Sequence, residues 1–280
     1  MIDFGNIRFL VTGATDGIGR GVAMRLAQSG AQVLLHGRSA ARLAETEREI
    51  KAKTKNKRLE VFQADFSCLA DVRRLAAEIK DRHDGLDVLI NNAGVGRGPR
   101  NRQQREVSRD GHELRFQVNH LAPFLLTHLL LPLLVNSAAA RPPARIVNVA
   151  SASQDAIDFD DVMLEQAYDG TRAYSQSKLA MVMATMEWAA RFDPRDMTIN
   201  ALHPGSLLDT KIVREAWGHA AGPVETGVES ECHLALSPEL EGVSGQYFDE
   251  KRTAHTHPQA FDEEARQRLW RLSEQLTGIS

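Results

Sequence analysis

Apolar runs of β type alternate with longer helical patterns along the whole 280-residue chain. Strands are predicted at Ile7–Val11, Gln32–Leu35, Leu59–Gln63, Asp87–Ile90, Arg145–Val149, Thr198–Leu202 and Gly245–Phe248. Helices are predicted over Gly17–Ser29, Ala40–Lys53, Leu69–Arg82, Ser108–Val135, Thr171–Phe192, Val224–Leu236 and Pro258–Leu276. The first six strand runs are continuously apolar, which is typical of strands buried on both faces. The chain is therefore predicted to be a single α/β domain over residues 1–280, with a doubly wound parallel sheet of Rossmann type.

Composition and charge narrow the classes of partner. The formal net charge of −3 gives no reason to expect nucleic acid or an anionic membrane surface. The most apolar segment, Leu121–Val135, contains Pro123 and Pro132 and is expected to be too short and interrupted to span a bilayer. The first residues lack a signal-peptide pattern. With Cys68 and Cys232 as the only cysteines, a cytoplasmic protein without a membrane partner and without disulfides is expected.

A glycine-rich turn follows the first predicted strand. It reads Thr12-Gly-Ala-Thr-Asp-Gly-Ile-Gly19 and leads directly into a helix. Glycine lets the backbone approach a pyrophosphate, and the free N–H groups of a helix N-terminus favour an anion. The spacing differs from the usual G-x-G-x-x-G dinucleotide fingerprint, and glycines alone are also compatible with an ordinary tight turn. Its position in the first strand–helix unit favours a phosphate loop.

The end of the second strand indicates which nicotinamide cofactor is bound. NAD-binding sequences carry an acidic residue about 20 residues after the glycine loop, where it holds the ribose 2′-hydroxyl. No acidic residue occurs between Ala31 and Ala44, and Arg38 follows the strand directly. A guanidinium can bind a 2′-phosphate through paired hydrogen bonds. The sequence therefore favours NADP(H), although Arg38 could also be a solvated loop residue.

A tyrosine and a lysine lie four residues apart in a predicted helix. Tyr174 and Lys178 therefore share a helix face. A free phenol has a pKa of about 10, and a neighbouring cation would lower that pKa and make the phenol a usable acid and base. Ser151, at the carboxyl end of a predicted strand, could bind the same reacting oxygen. A Tyr/Lys pair at helical spacing is by itself more often structural.

The motifs together resemble the short-chain dehydrogenase/reductase family over essentially the whole chain. In chain order they are Thr12–Gly19, Asn91–Gly94, Ser151 and Tyr174 with Lys178. The retinol-dehydrogenase-like subgroup is the most similar, on the strings Val118–Leu121, Phe124–Thr127, Leu129–Leu134 and Asn200–Gly205. That subgroup mostly uses NADP(H), in agreement with Arg38. Its name does not by itself identify the substrate.

The resemblance implies a role for each matching residue. The catalytic set is Ser151, Tyr174, Lys178 and Asn119, in which Asn119 holds a water for proton relay and Lys178 also binds the nicotinamide ribose. Asp65 lies at the adenine pocket, and Pro204-Gly205 faces the nicotinamide amide. With the glycine loop and Arg38, the predicted cofactor-binding residues are Gly13, Thr15, Asp16, Gly17, Ile18, Gly19, Arg38, Asp65, Phe66, Asn92, Ala93, Gly94, Tyr174, Lys178, Pro204 and Gly205. No metal is expected.

Three departures from the family pattern affect the expected site. Ser151 lies 23 residues before Tyr174, farther than usual, and the insert at Ala156–Asp169 is expected to reshape the substrate entrance or an oligomer contact. In the family, a threonine shortly after the Pro-Gly pair contacts the nicotinamide amide. Thr210 lies one residue later after Pro204-Gly205 than that threonine, which puts the contact in question. Asp16 would repel a phosphate unless it points away or caps the next helix. A substrate loop is expected at about 204–230.

The predicted function is hydride transfer between NADP(H) and a carbonyl or alcohol substrate, as a carbonyl reductase or alcohol dehydrogenase. Two alternatives stay open. One is a protein that binds NADP(H) and regulates a partner without turnover. The other is a sugar-nucleotide epimerase or dehydratase of the extended branch, for which the chain after Gly205 leaves little room. A homo-oligomer is possible. Arginines at 97, 100, 102, 105 and 109 are interpreted as a solvated loop rather than as a dock for an anionic substrate.

Overall fold

A computed structural model describes residues 4–98, 104–140, 143–166 and 168–279. The strands are β1 (Arg8–Val11), β2 (Gln32–Gly37), β3 (Leu59–Gln63), β4 (Val88–Asn91), β5 (Ala144–Val149), β6 (Met197–His203), β7 (Tyr247–Asp249) and β8 (Arg252–Thr253). The helices are α1 (Gly17–Gln28), α2 (Ala40–Thr54), α3 (Leu69–Arg82), α4 (Leu114–Ala140), α5 (Gly170–Ala189), α6 (Lys211–Trp217), α7 (Val224–Leu236) and α8 (Glu263–Thr277). The predicted alternation of strands and helices is confirmed.

The strands form one sheet in the order β3-β2-β1-β4-β5-β6-β7-β8. The first seven are parallel, and β8 pairs antiparallel with β7. The direction of chain progression reverses between β1 and β4, which opens a crevice outside their carboxyl ends. Ligands bind at such a crevice in doubly wound sheets. The predicted fold class is therefore confirmed.

Alternate residues of each strand supply two hydrophobic cores, one on each face of the sheet. In β1, Phe9 and Val11 belong to one core and Leu10 to the other, as the twofold side-chain period of a strand requires. Helix α1 packs against α7, α3 against α4, and α5 against α8. The apolar stripe Leu179–Trp188 is buried within the chain, so its side chains belong to the core.

Helix α4 crosses the protein from the site into the core. It is 27 residues long and apolar enough to cross a membrane, but 72% of its most apolar window is buried inside the protein, as in a core helix. The predicted helix passes through both prolines and extends to Ala140, so this apolar segment is longer than the sequence led us to expect. A widened π turn over Gln117–Leu121 precedes Pro123, and Pro132 lies on the exposed side, where water can solvate the carbonyl that its ring leaves unpaired.

The start of α4 and two short elements differ from the sequence-based prediction. The helix expected from Ser108 begins at Leu114, because the Glu113 carboxylate caps it by accepting the Phe116 N–H at 2.8 Å. Helix α6 lies within the expected substrate loop, and β8 was not predicted. Both are only a few residues long, so neither has a clear hydrophobic period.

We predict that His120 makes the protein sensitive to mild acid. Its Nε2 lies 2.7 Å from Ser273 Oγ between α4 and α8, and burial lowers the pKa of the imidazole to about 3. In the unfolded chain the imidazole binds a proton as the pH falls below about 6.5, whereas in the folded chain it stays neutral. The free energy of unfolding therefore decreases as the pH drops below that value. Between about pH 6 and 4.5, the free energy of unfolding measured with urea should fall less steeply with decreasing pH in His120→Gln than in the wild type. The two slopes should differ by about 1.4 kcal/mol per pH unit. Parallel slopes for the two proteins would contradict this.

Candidate active site

The glycine loop folds against the turn that follows β4. Gly13 has φ +69°, and a Cβ built on it would lie 2.9 Å from the Cα of Ala93. A Cβ on Gly19 would lie 2.6 Å from the carbonyl oxygen of Gly13. The side chain of Asn92 closes the same space and donates from Nδ2 to the Thr12 carbonyl at 2.7 Å. Both glycines are therefore required for the two turns to pack together.

Asp16 points away from the phosphate side of the loop. Its Oδ1 accepts the Gly17 N–H at 2.8 Å and so caps α1. Its Oδ2 lies 2.9 Å from Nη2 of Arg42, and this guanidinium also donates to the Thr15 carbonyl at 3.2 Å. The amides of Ile18 and Gly19, in the first turn of α1, are left for a ligand. The expectation that Asp16 caps the helix is confirmed.

The predicted adenine end of the crevice lies at the ends of β2 and β3. Arg38 is exposed directly after β2, and its carbonyl accepts from Gln63 Nε2 at 3.2 Å. Asp65 holds the turn after β3, where its Oδ1 accepts the Ser67 N–H at 3.0 Å. The ring of Phe66 is buried and stacks on His36 at 4.4 Å. Only its backbone remains to face a nucleotide.

The predicted catalytic side chains converge where β5 meets α5. Ser151 follows β5, and its hydroxyl lies within hydrogen-bonding reach of the Tyr174 phenol. Lys178 places its Nζ 5.8 Å from the centre of the Tyr174 ring and donates to the Val149 carbonyl at 2.7 Å. One of three ammonium donors is thus used, and the others remain for ligands. The Lys178 ammonium therefore lies at the carboxyl edge of the sheet, at the end of β5.

Burial dominates the electrostatics of this cluster. It lowers the pKa of Lys178 to about 8, and the carboxyl of Glu231 opposes that shift. Burial also raises the pKa of Tyr174 above its usual value, while the hydrogen bond with Ser151 lowers it. The expectation that Lys178 depresses this pKa is therefore not met in the protein alone. At 5.8 Å from the ring, the ammonium does not offset the loss of water around the phenol.

Asn119 lies in the π turn of α4 and connects the backbone of Val95, after β4, with the side chain of Ser177 on α5. Its Oδ1 accepts the Val95 N–H at 2.8 Å, and its Nδ2 donates to the Val95 carbonyl at 3.0 Å and to Ser177 Oγ at 2.9 Å. The π turn adds one residue to the helix and aims Asn119 at the segment after β4. Gly94 fits between Asn119 and Lys178, since a Cβ there would lie 3.1 Å from Oδ1.

The mouth of the site is formed by the chain after β6, by helix α6 and by the glycine loop. After β6, Gly205 has φ +130° and follows Pro204, and the chain then leads to α6. Thr210 caps α6 and lies against Gly17, so it supports the loop from the opposite side. A cleft of about 690 Å³ opens beside the loop and α6, lined in part by Asp16 and Lys211, and its lining does not include Tyr174.

Two of the arginines interpreted as solvated make specific contacts instead. Arg97 donates to the Ala216 carbonyl at 2.7 Å, and its guanidinium lies 4.1 Å from the centre of the Trp217 ring. Arg105 donates to the Met163 carbonyl at 2.8 Å, within the insert. For these two the prediction is wrong, because neighbouring loops supply acceptors that the sequence does not reveal. Arg100 and Arg102 lie outside the described residues.

Sequence reasoning did not assign three residues that the structure places at the site. The Thr12 hydroxyl accepts the N–H groups of Asn92 and Ala93, both at 2.9 Å, and joins the two turns. Arg42 lies one helical turn beyond Ser39, where an ordinary solvated arginine is expected. Glu231 is buried in α7 near Lys178. Of these, only Thr12 carries a sequence signal, since it opens the glycine motif.

Comparison with known proteins agrees with this geometry. A family model described as short chain dehydrogenase matches residues 8–220. Among curated proteins, human Retinol dehydrogenase 13 is 37% identical over 96% of this chain and 84% of its own length. Human Polyprenol dehydrogenase is 33% identical over 96% of this chain and 84% of its own length. These similarities confirm the predicted resemblance to retinol-dehydrogenase-like members.

Solved structures share the fold. A short chain dehydrogenase from Salmonella enterica serovar Typhi superposes with a TM-score of 0.72 at 25% identity, covering 90% of this chain and 99% of its own. One from Escherichia coli CFT073, solved with NADPH, gives a TM-score of 0.71 at 26% identity and covers 89% of this chain and 98% of its own. The sheet and its crevice are therefore shared with structurally characterised dehydrogenases.

We predict that Gly13→Ala lowers the free energy of unfolding far more than Gly242→Ala does. The two glycines have similar φ values of +69° and +75°, but a Cβ on Gly242 meets nothing within 4 Å. Both variants pay about 1–2 kcal/mol for a left-handed alanine, and Gly13→Ala also overpacks the loop, for roughly 1–3 kcal/mol more. Urea unfolding of the two proteins measures the difference. Equal losses would show that the contact with Ala93 is not tight.

Proposed function

Because the chain belongs to the short chain dehydrogenase family, we propose that it moves a hydride between NADP(H) and a carbonyl or alcohol, with Tyr174 as the proton carrier. The observation that carries the proposal is the convergence of Ser151, Tyr174, Lys178 and Asn119 at the carboxyl edge of β4 and β5. The glycine loop opens on the same edge. Nucleotide and proton chemistry thus share one crevice.

Each side chain has a role that its contacts support. Tyr174 gives a proton to the carbonyl oxygen in reduction and takes it from the alcohol in oxidation. Ser151 donates to the same oxygen and fixes its position beside the phenol. Lys178, held by the Val149 carbonyl, supplies a positive charge that stabilises the phenolate formed when Tyr174 releases its proton. Asn119 keeps the Val95 segment in place and leads to Ser177 on the catalytic helix.

The protein supplies a cradle for the dinucleotide, whose nicotinamide gives or accepts the hydride when bound. A Cβ at Gly13 or Gly19 would fill the space where the loop meets Asn92, so the fit requires glycine. The first-turn amides of α1 would bind the pyrophosphate. Exposed Arg38 and Arg42 would bind the 2′-phosphate of NADP(H). The similar short chain dehydrogenase from Escherichia coli, solved in complex with NADPH, supports the proposal of NADP(H) as the cofactor.

The proposed substrate is an apolar or amphipathic alcohol or carbonyl compound. The relatives named retinol dehydrogenase and polyprenol dehydrogenase support an alcohol with a long hydrocarbon part. The proposed entrance lies at the segment 204–230, where Arg97 donates to the Ala216 carbonyl. The reaction is proposed to run as a carbonyl reductase or an alcohol dehydrogenase, according to the supply of reduced and oxidised cofactor.

Tyr174→Phe should abolish turnover while nucleotide binding stays intact. Removal of the phenol oxygen takes away proton transfer, which contributes about 10²–10⁴-fold, but leaves the glycine loop unchanged. The measurement is NADPH oxidation against a panel of aldehydes and ketones, with NADPH binding followed by fluorescence. Tyr168→Phe is the matched control, because its hydroxyl lies 3.3 Å from Glu113 outside the catalytic set. Full activity in Tyr174→Phe would remove the proposed mechanism.

The double variant Arg38→Ala/Arg42→Ala should discriminate poorly between the two nicotinamide cofactors. Loss of both guanidiniums removes charge-assisted bonds to the 2′-phosphate, so the Kd for NADPH should rise about 10–100-fold and that for NADH should stay within about threefold. Arg48→Ala removes the same charge from an exposed position of α2 and serves as the control. Equal weakening of both cofactors would contradict the assignment.

A further inference from the structure

Glu231 is a fully buried carboxyl group in the middle of α7. Neither of its oxygens has a hydrogen-bond partner within the part of the chain that the structure describes. The neighbouring Ser230 is equally buried, but its hydroxyl donates to the Thr226 carbonyl of its own helix. An unpaired buried carboxylate strongly destabilises a folded protein. A residue with this penalty calls for a partner of opposite charge.

The face of α7 that carries Glu231 lies beneath the nucleotide crevice. One turn earlier, Gly227 lies under Ile18 of the glycine loop, and Val228 packs on Gly21 of α1. Residues at spacings of three and four share a helix face, so Glu231 continues this surface towards the sheet. Helix α7 packs on β4, β5 and β6, and β5 ends in the carbonyl that binds Lys178. Helix α7 thus packs against the strand whose last carbonyl holds Lys178, and the Glu231 carboxyl lies within range of the charge on that lysine.

Each of the two groups acts on the other. Burial raises the pKa of Glu231 to about 8, and the charge of Lys178 opposes this shift. Burial lowers the pKa of Lys178 to about 8, and the charge of Glu231 opposes that shift in turn. At neutral pH the carboxyl is therefore mainly neutral and the ammonium charged. Above that pH the two protons are lost as a coupled pair rather than independently.

We propose that Glu231 is a positioning residue that keeps Lys178 charged as the pH rises above neutrality, by becoming a buried counter-charge when it loses its own proton. The inference rests on the proposed role of Lys178 beside Tyr174. A charged lysine is needed to stabilise the phenolate, and that phenolate is most populated in alkaline solution. Glu231 therefore extends the range of pH over which the proton carrier and its cation coexist.

Other titratable groups surround the pair from each packed element. Cys232 follows Glu231 on α7, and burial with the nearby carboxylate raises the pKa of its thiol to about 12. His203 on β6 lies close enough to Lys178 for the ammonium to lower the pKa of its imidazole, although burial is the larger cause. Arg25 on α1 lowers the pKa of the Cys232 thiol. Lys178 is thus the charge to which Glu231 responds within the described residues.

The pH profile of alcohol oxidation tests the proposal through activity. In Glu231→Gln the alkaline decline of kcat/KM should move to lower pH by at least about half a unit, because Lys178 loses its proton sooner, while kcat at pH 7 stays within about threefold. Glu231→Asp keeps a carboxylate and should restore part of the shift. Ser230→Ala should follow the wild type. An alkaline decline in Glu231→Gln that superimposes on the wild type would overturn the proposal.

A double-mutant cycle tests the same pair without turnover, so it separates this inference from the proposed function. Unfolding equilibria would be measured for the wild type, Glu231→Gln, Lys178→Met and the double variant, at pH 5 and pH 9. At pH 9, adding Glu231→Gln to the Lys178→Met variant should be about tenfold more stabilising than adding it to the wild type, the equivalent of about one pKa unit. At pH 5 the two effects should match, because Glu231 is neutral. Equal effects at both pH values would show that no coupling exists.

Discussion

The hydrogen bond from Lys178 to the main-chain carbonyl of Val149 is the contact on which the site depends. It fixes a buried ammonium at the carboxyl end of β5, one helical turn from the half-buried Tyr174 phenol. Without this bond, the lysine would have to leave the protein interior to satisfy its charge, because an isolated buried ammonium is costly. The position of α5 on the sheet therefore determines the position of the charge.

The same edge of the sheet brings the nucleotide loop to that charge. The Thr12 hydroxyl binds the turn after β4, and Asn92 binds back to the glycine loop, so the first and fourth strands end in one interlocked structure. From the other side, Asn119 holds the Val95 segment against α5. The glycine loop and the cluster around Tyr174 are thus joined by short bonds between neighbouring strand ends and not by long loops.

Much of this arrangement could be predicted from the sequence. Six continuous apolar runs and ordered motifs predict the sheet, the loop and the residues that converge on the site. The sequence did not reveal that the Phe66 ring turns inward onto His36, that Arg97 bonds Ala216, or that a π turn over Gln117–Leu121 lies within α4. Each of these depends on a tertiary neighbour or a local change of helix geometry. Glu231 was missed for a related reason, since a glutamate in a helix ordinarily faces water.

The central claim is that this crevice transfers a hydride, and isotope transfer tests it most directly. The purified protein would be incubated with NADPH carrying deuterium on one face of C4 and with a panel of apolar aldehydes and ketones, and the alcohol products analysed by mass spectrometry. The account predicts one deuterium on the new carbinol carbon, from one face of the nicotinamide only. NADPH that binds without any label reaching a product would contradict it.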